Sequence, residues 1–433
     1  MTFSNLNYEE KIHTIFTLES FLLPHYFLYN AHRKTFSEVV LEKNKYTFHT
    51  LLEIFLVSFK LGLTSFGGPV AHLGYFHHEY VQKRKWMDER SYGDLVALCQ
   101  FLPGPASSQV GMGVGLLRGG VLGSIISWIG FTLPSVLVLV FFASFLNQFD
   151  LGSAGWIHGL KLVAVAIVAH AIWGMAQKLT PDRNRATIAI VTAAIALLWP
   201  SSWTQVILII ISGFIGWFLY RNQPISQSQH IKVPISKKIA VSCLILFFGL
   251  LLLLPILRPF SYYIALFDSF YRSGALVFGG GHVVLPLLEG EFVQNGMMTK
   301  EQFLAGYGLT QAVPGPLFTF ASYIGAVLNG TLGAILATIA IFLPAFLLVI
   351  GVLPFWNSVR KISFIQGALL GVNAAVVGIL LAAFYDPIWT STIMNAVDFV
   401  FASLLFCLLA FWKTPPWVIV ILGAFGGYVL SIL

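Results

Sequence analysis

The tripeptide Pro-Gly-Pro occurs twice, as Pro103-Gly104-Pro105 and as Pro314-Gly315-Pro316, each time inside an otherwise apolar segment. It can end one helix and begin another, because proline lacks an amide hydrogen and its φ suits the first helical position. The following residues then present free backbone N–H groups, which attract anions together with the helix dipole. Ser107, Ser108 and Thr319 add hydroxyl donors. The pattern predicts two anion-binding half-helices; the alternative is two proline kinks that only shape helix packing.

A glycine pair precedes each tripeptide, as Gly67-Gly68 and as Gly279-Gly280. Glycine adopts positive φ and lets the backbone approach a ligand closely, so both pairs are candidate substrate contacts. The alternative is close packing of helices through small residues, which is common in membranes. Pro69 follows the first pair, whereas Gly281 and His282 follow the second, so the two copies differ in detail.

One cation lies about two helical turns before each glycine pair, Lys60 in the first case and Arg272 in the second. A cation among apolar neighbours in a membrane costs about 2.5–3.5 kcal/mol, so it usually faces a cavity or a charged partner. Two matched cations suit a doubly charged anion, and we predict that they complete its binding site. The alternative is that each side chain snorkels toward the lipid headgroups.

Two acids and two histidines could carry a proton during a coupled process. Glu79 and Glu291 occupy matched positions beyond the glycine pairs, where a solvated or ion-paired structural role is the alternative. His72 and His282 could titrate near neutral pH. No metal-ligand spacing repeats between the two copies, so the sequence predicts neither a metal site nor a cofactor.

The motifs recur in one order, which predicts an internal duplication. Gly67 falls on Gly279, Pro103 on Pro314 and Pro134 on Pro344, at nearly constant spacing. We divide the chain accordingly into four parts: an N-terminal cytoplasmic extension at 1–48, a first repeat at 49–220, a basic cytoplasmic linker at 221–238, and a linking helix with the second repeat at 239–433.

The composition places both repeats in a membrane. The sequence is 57% hydrophobic and 10% charged, whereas soluble domains carry about 25% charged residues. Several apolar runs are long enough to cross about 30 Å of hydrocarbon as helices, and none alternates like a barrel strand. The predicted fold is therefore an all-α polytopic membrane protein with broken, re-entrant helices at both motifs. The net charge of +7 comes from short basic loops, which indicates cytoplasmic loops rather than nucleic-acid binding.

Counting the spans predicts how the repeats are oriented. If both interrupted segments of the first repeat turn back within the membrane, five full crossings precede the second repeat. Five is odd, so the second repeat enters from the opposite face, as in many transporters. We place the five crossings at 121–146, 157–178, 186–200, 202–220 and 239–257.

The motif set resembles the chromate ion transporter family in its two-domain form. The resemblance rests on Phe55–Gly62, Ser65–Pro69 and Gln100–Pro105, and on a second copy at Phe278–His282 and Gln311–Pro316. It implies export of chromate through a prokaryotic inner membrane, and hence chromate resistance. Sulfate has the same shape and charge, so transport of sulfate or another oxyanion remains an alternative, as does an anion channel.

No sequence feature indicates an enzyme. The HExxH, GxSxG, P-loop and dinucleotide patterns are absent, so ATP-driven transport by this chain is also unsupported. The expected partners are chromate or sulfate as transported ligand, together with membrane lipid. A homodimer is compatible with the sequence, and nucleic acid is not an expected partner.

Overall fold

The computed structural model describes residues 48–148, 155–220, 235–359 and 362–432. Nearly all of the predicted extension and most of the linker lie outside the described residues. The chain divides into two units, Met1–Leu52 and Glu53–Leu433. Of the first unit, the structure describes only residues 48–52, which begin helix α1. All of the later helices belong to the second unit.

Every regular element of the described residues is helical, which confirms the predicted all-α membrane fold. Within these residues, five helices are long and apolar enough to cross a membrane. The first repeat contains α1 Phe48–Thr64, α2 Gly68–Phe76 with a π-helical extension His77–Lys83, α3 Glu89–Phe101, α4 Ala106–Gln148, α5 Gly155–Leu179, α6 Arg183–Leu198 and α7 Ser202–Tyr220. The remaining α-helices are α8 Lys237–Leu257, α9 Tyr262–Ala275, α10 Val284–Phe292, α11 Lys300–Thr310, α12 Phe320–Val352, α13 Trp356–Val359, α14 Ser363–Ala383, α15 Ala396–Ala410 and α16 Pro416–Leu430.

The first glycine pair forms the tip of a helical hairpin. Helix α1 runs to Thr64, the chain turns at Gly67 with φ +91°, and α2 returns beside α1. Lys60 on α1 and Glu79 on the returning arm form an ion pair at 2.9 Å, which fixes the antiparallel arrangement. The predicted turn at this position is therefore present.

The first Pro-Gly-Pro forms the tip of a second hairpin, between α3 and the N-terminal half of α4. Helix α4 is itself broken at Gly119-Gly120, where the backbone leaves helical geometry. Beyond the break the chain doubles back, since the Ser127 hydroxyl donates to the Gly111 carbonyl at 2.9 Å. A Cβ built on Gly115 would overlap the Gly123 carbonyl, so glycine permits this close contact.

The second copy repeats this arrangement. Helix α12 is broken at Asn329-Gly330, and a Cβ on Gly325 would overlap the Gly333 carbonyl beyond the break. Arg272 on α9 lies 3.6 Å from Glu291 on α10, at the positions that match Lys60 and Glu79. Broken helices of equal design therefore occur at matched positions, while the inverted orientation of the copies stays a prediction.

The last two helices of each copy pack against the other copy. Helix α7 crosses α14, where a Cβ on Gly216 would lie 2.5 Å from the Gly367 carbonyl oxygen. Helix α16 crosses α5, where a Cβ on Gly159 would overlap the Gly423 carbonyl oxygen and lie 3.0 Å from the Gly427 Cα. Small residues let these backbones touch, as in other membrane helix pairs. The two copies are thereby interlocked.

Large apolar side chains are exposed along the outer helices. Phe218 on α7 is 68% exposed, and Ile245 and Leu252 on α8 are 67% and 69% exposed. An apolar surface of this kind is stable when lipid rather than water covers it. The exposure agrees with the membrane location that the composition predicts.

Candidate functional site

The Pro-Gly-Pro loop of each copy bonds to the glycine-pair loop of the other. The Gly104 amide donates to the Val277 carbonyl at 2.7 Å, and the Gly315 amide donates to the Ser65 carbonyl at 3.0 Å. Ser65 and Val277 are equivalent, each lying two residues before its glycine pair. The two bonds are thus one contact made twice, and they join the four interrupted loops in two pairs. The pairs are adjacent, because a Cβ on Gly281 would lie 3.2 Å from Leu317 and 3.5 Å from Pro69.

Positive φ angles explain why glycine occupies the four loops. The six glycines have these values: Gly67 +91°, Gly68 +76°, Gly104 +121°, Gly279 +75°, Gly280 +146° and Gly315 +110°. Residues with a side chain rarely adopt such angles. At Gly68 and Gly280, which are equivalent, a Cβ would contact no atom within 4 Å. Backbone geometry rather than crowding therefore requires glycine there, and the tips retain room beside them for a small ligand.

Both half-helices begin where the sequence predicts. Helix α4 starts at Ala106, and a 3-10 turn over Leu317–Thr319 leads into α12. The Gln109 amide donates to the Pro105 carbonyl at 2.9 Å, and the Thr319 amide donates to the Pro316 carbonyl at 3.0 Å. The amides that precede Gln109 and Thr319 at each helix start are the ones suited to bind an anion. The arrangement agrees with the predicted function of Pro-Gly-Pro as a helix start.

The predicted hydroxyl donors have different environments. Ser107 is buried, and its hydroxyl contacts the His72 ring nitrogen Nδ1 at 3.2 Å. Ser108 is also buried, and its hydroxyl has no partner among the described residues. The Thr319 hydroxyl donates to the Pro316 carbonyl at 2.7 Å, so its hydrogen is already used within the loop. Ser108 is therefore the hydroxyl best able to donate to a ligand.

Several buried polar side chains near these loops were not predicted as site residues from the sequence. Ser65 Oγ, Gln109 Oε1, Thr132 Oγ1 and Gln311 Nε2 are buried and have no hydrogen-bond partner among the described residues. Buried polar groups are normally satisfied, so a cluster of exceptions calls for an explanation such as water or a ligand. Gln311 could have been predicted from the sequence, because Gln311 and Gln100 lie at the same distance before the second and the first Pro-Gly-Pro.

Lys60 is neutralised within its own hairpin. Its side chain is half exposed and pairs with Glu79, which is 4% exposed and also binds Arg84 at 2.9 Å. A second carboxylate, Glu53, pairs with Arg84 and with Arg118 at 3.0 and 2.7 Å. Lys60 therefore lies in a charge network at the base of the hairpin, about two turns from the tip.

Arg272 is neutralised in the same way but is more deeply buried. It lies 2.7 Å from Asp268 and 3.6 Å from Glu291, and its side chain is 11% exposed. Arg258, at the end of the linking helix, approaches the same two acids at 3.4 and 3.2 Å. The predicted ligand function of both cations stays a prediction, with these carboxylates as present partners.

The two histidines belong to the hairpin arms that hold the tips. His282 Nδ1 contacts the Tyr307 hydroxyl at 2.8 Å, which joins the second glycine-pair loop to α11. His72 packs edge-to-face on Phe131 at 5.7 Å. Among the described residues, no three His, Cys, Asp or Glu side chains are grouped so that they could hold a metal ion.

Changing Lys60 to Ala should weaken substrate binding more than stability. Glu79 is buried but keeps Arg84 and Lys83 as cation partners, so the loss of the half-exposed Lys60 should cost no more than about 1 kcal/mol of stability. If Lys60 turns toward a bound dianion, the KM for that anion should rise about tenfold, since a charge-assisted hydrogen bond is worth about 1.5–3 kcal/mol. Flux at several substrate concentrations in proteoliposomes measures this. Lys83→Ala is the matched control, because Lys83 is as exposed and lies 3.8 Å from Glu79; an equal effect in both variants would contradict the function of Lys60.

The fold and the site define a class of protein: a polytopic α-helical membrane protein whose interrupted helices meet at loops from two similar halves. Transporters commonly have this plan. The chain belongs to the chromate transporter family, which matches it twice, over residues 52–217 and 264–428.

Curated relatives match most of the chain. An uncharacterized transporter of Methanocaldococcus jannaschii is 30% identical over 338 residues, covering 76% of this chain and 83% of the relative. A chromate transport protein of Pseudomonas aeruginosa is 28% identical, covering 77% and 80%. A probable chromate transport protein of Synechococcus elongatus is 28% identical and covers 89% and 96%. No solved structure matches the chain.

Proposed function

We propose that this protein is a secondary transporter that exports chromate from the cytoplasm through the cell inner membrane, and so gives chromate resistance. The observation that supports this most directly is the reciprocal bonding of Gly104 to Val277 and of Gly315 to Ser65. It holds two half-helix N-termini and two glycine-pair loops together, and all four are backbone features suited to an oxyanion. The names of the Pseudomonas and Synechococcus relatives support chromate as the substrate.

The proposed site recognises shape and charge through the backbone. The amides after Pro103-Gly104-Pro105 and Pro314-Gly315-Pro316, the glycine pairs with Pro69, and the Ser108 hydroxyl would surround a tetrahedral dianion. Lys60 and Arg272 would reach it by exchanging a carboxylate partner for the substrate. A negative interior favours export, because a departing dianion gains about 4.6 kcal/mol per 100 mV.

Alternating access would come from movement of one copy against the other. In the proposed inverted arrangement, the two bonded loop pairs open toward different faces in turn, and one pair stays closed while the other opens. In the described part of the chain, two backbone hydrogen bonds join the tips, and each contributes about 1 kcal/mol. Breaking one of them while keeping the other would open one side.

Cysteine labelling tests the inverted arrangement. We expect Lys85→Cys and Met297→Cys to react with an impermeant thiol reagent from opposite faces, because the two positions are exposed and follow equivalent hairpins. Cys99, Cys243 and Cys407 are first replaced, since all three are free thiols. Labelling of both positions from the same face would reject the inversion.

Uptake into inverted vesicles tests the proposed function. Vesicles with the protein should accumulate labelled chromate with saturation and counterflow, and control vesicles should not. Competition by sulfate at equal concentration would broaden the substrate to tetrahedral oxyanions. Flux without saturation or counterflow would indicate a channel, and absence of flux would contradict the proposal.

A further inference from the structure

A cavity of about 330 Å³ lies beside the second hairpin and contains a buried acid. It is bounded by the α6–α7 connection, by α10 and by the C-terminal end of α14. Its polar lining consists of Gln205, Glu289, Gln294, Lys300 and Asp386. Glu289 is 5% exposed and does not belong to the four interrupted loops.

Glu289 differs from the other buried glutamates because no cation pairs with it among the described residues. Its Oε2 atom accepts a hydrogen bond from the Gln294 amide at 2.9 Å. The nearby Lys300 lies 3.4 Å from Asp386 instead. Glu79, by contrast, has three cations within 4 Å, and Glu291 has two. A buried carboxylate without a cation is costly when charged, so burial favours its protonated form.

The position of Glu289 connects it to the substrate loops. Helix α10 is the returning arm of the hairpin whose tip is Gly279-Gly280. Its Pro286 carbonyl accepts a hydrogen bond from Gln205 on α7 at 3.4 Å, so α10 lies against a helix of the first copy. A change of charge on Glu289 therefore acts where the second hairpin meets the first copy.

Helix α14 makes a second connection between the tip and the cavity. Val376 and Asn373 face Gly279, since a Cβ built there would lie 3.4 and 3.5 Å from their side chains. Further along the same helix, Ile379 and Ala383 line the cavity. The helical rise per residue places Ala383 about 10 Å along the axis of α14 from Val376. A shift of α14 beside Gly279 would therefore also move the wall of the cavity.

The first copy offers no equivalent of this acid. The position that matches Glu289 is His77, which contacts Glu89 at 2.6 Å on the exposed side of its hairpin. Among the described residues, the buried acid without a cation that lines this cavity therefore has no counterpart at the matching position of the first copy. One such group is sufficient for one proton per cycle.

We propose that Glu289 is the proton-binding group that couples oxyanion transport to a proton gradient. This rests on the proposed function. One proton binds the Glu289 carboxylate from one side and leaves to the other, while one dianion moves in the opposite direction. The charged groups that face the cavity are Lys300 and Asp386; Arg258, Arg272 and Glu291 line the adjoining cavity of about 470 Å³.

The test uses the full chain in proteoliposomes that contain a pH-sensitive dye and are given a chromate gradient. Wild type should move protons against chromate. Glu289→Gln keeps the shape but cannot titrate, so chromate-driven proton movement should fall at least about tenfold, while chromate self-exchange stays within about twofold. Glu301→Gln is the control, because Glu301 is an exposed acid at the start of α11 and should behave as wild type in both measurements.

Two results would overturn the inference: full proton movement in Glu289→Gln, or net chromate flux down its gradient in wild type without proton movement. The second leaves the proposed function intact, whereas a folded wild type that exchanges no chromate overturns both. If Glu289→Gln loses self-exchange as well, Glu289→Asp and Glu289→Asn decide. Proton movement with aspartate and none with asparagine supports coupling, and equal movement in both rejects it.

Discussion

Replacing either Gly104 or Gly315 by valine should abolish transport, with a fall in chromate flux of about 100-fold or more, since small misplacements of a binding site have effects of this size. Their φ values of +121° and +110° are rarely adopted by other residues. A Cβ would also lie 3.0 Å from Ala345 at Gly104 and 3.0 Å from the Ser135 hydroxyl at Gly315. The added side chain would displace the amide that bonds to the opposite copy, and with it the half-helix that follows.

Counterflow of labelled chromate in proteoliposomes measures this effect, and Gly296→Val supplies the control. Gly296 also has positive φ, at +71°, but a Cβ there contacts nothing within 4 Å and the residue lies in the loop after α10. The Gly296→Val variant should therefore have a backbone strain similar to that of the Gly104 and Gly315 variants, about 1–3 kcal/mol, but nearly normal transport. If Gly104→Val transports as well as Gly296→Val, the contact between the copies is not part of the site.

The sequence predicted the helices well because their signals are local. The span expected at 157–178 is α5, Gly155–Leu179, and the one at 239–257 is α8, Lys237–Leu257. Apolar runs of sufficient length and breakers such as glycine and proline determine such elements without reference to the rest of the chain. The turns at both motifs are present for the same reason.

The partners of the charged residues could not be predicted in this way. Nothing local in the sequence shows that Arg258 reaches Asp268 and Glu291, or that Glu289 lacks a cation while Glu291 has two. These facts depend on how distant helices meet. The sequence therefore identified Lys60 and Arg272 as unusual, but it could not show that acids of the same hairpins already neutralise them.

Replacing Arg272 by alanine should both destabilise the protein and stop transport. The change leaves Asp268, which is 1% exposed at its side chain, and Glu291 with Arg258 as their remaining cation. Removing one partner of a buried ion pair costs about 3–5 kcal/mol, because an uncompensated charge stays buried. The variant should unfold at lower temperature in detergent, and its loss of flux alone would not distinguish a binding function from a structural one.

A double variant separates the two functions of Arg272. Arg272→Met with Asp268→Leu removes one charge of each sign and fills the space with apolar side chains, which is often neutral or stabilising for buried pairs. Arg258 then still faces Glu291 at 3.2 Å. We expect thermal stability to return to nearly that of wild type while chromate flux stays at least about tenfold lower, because the cation that would exchange onto the dianion is missing. Recovery of flux together with stability would show that Arg272 only holds the hairpin, and that the backbone loops bind the anion without it.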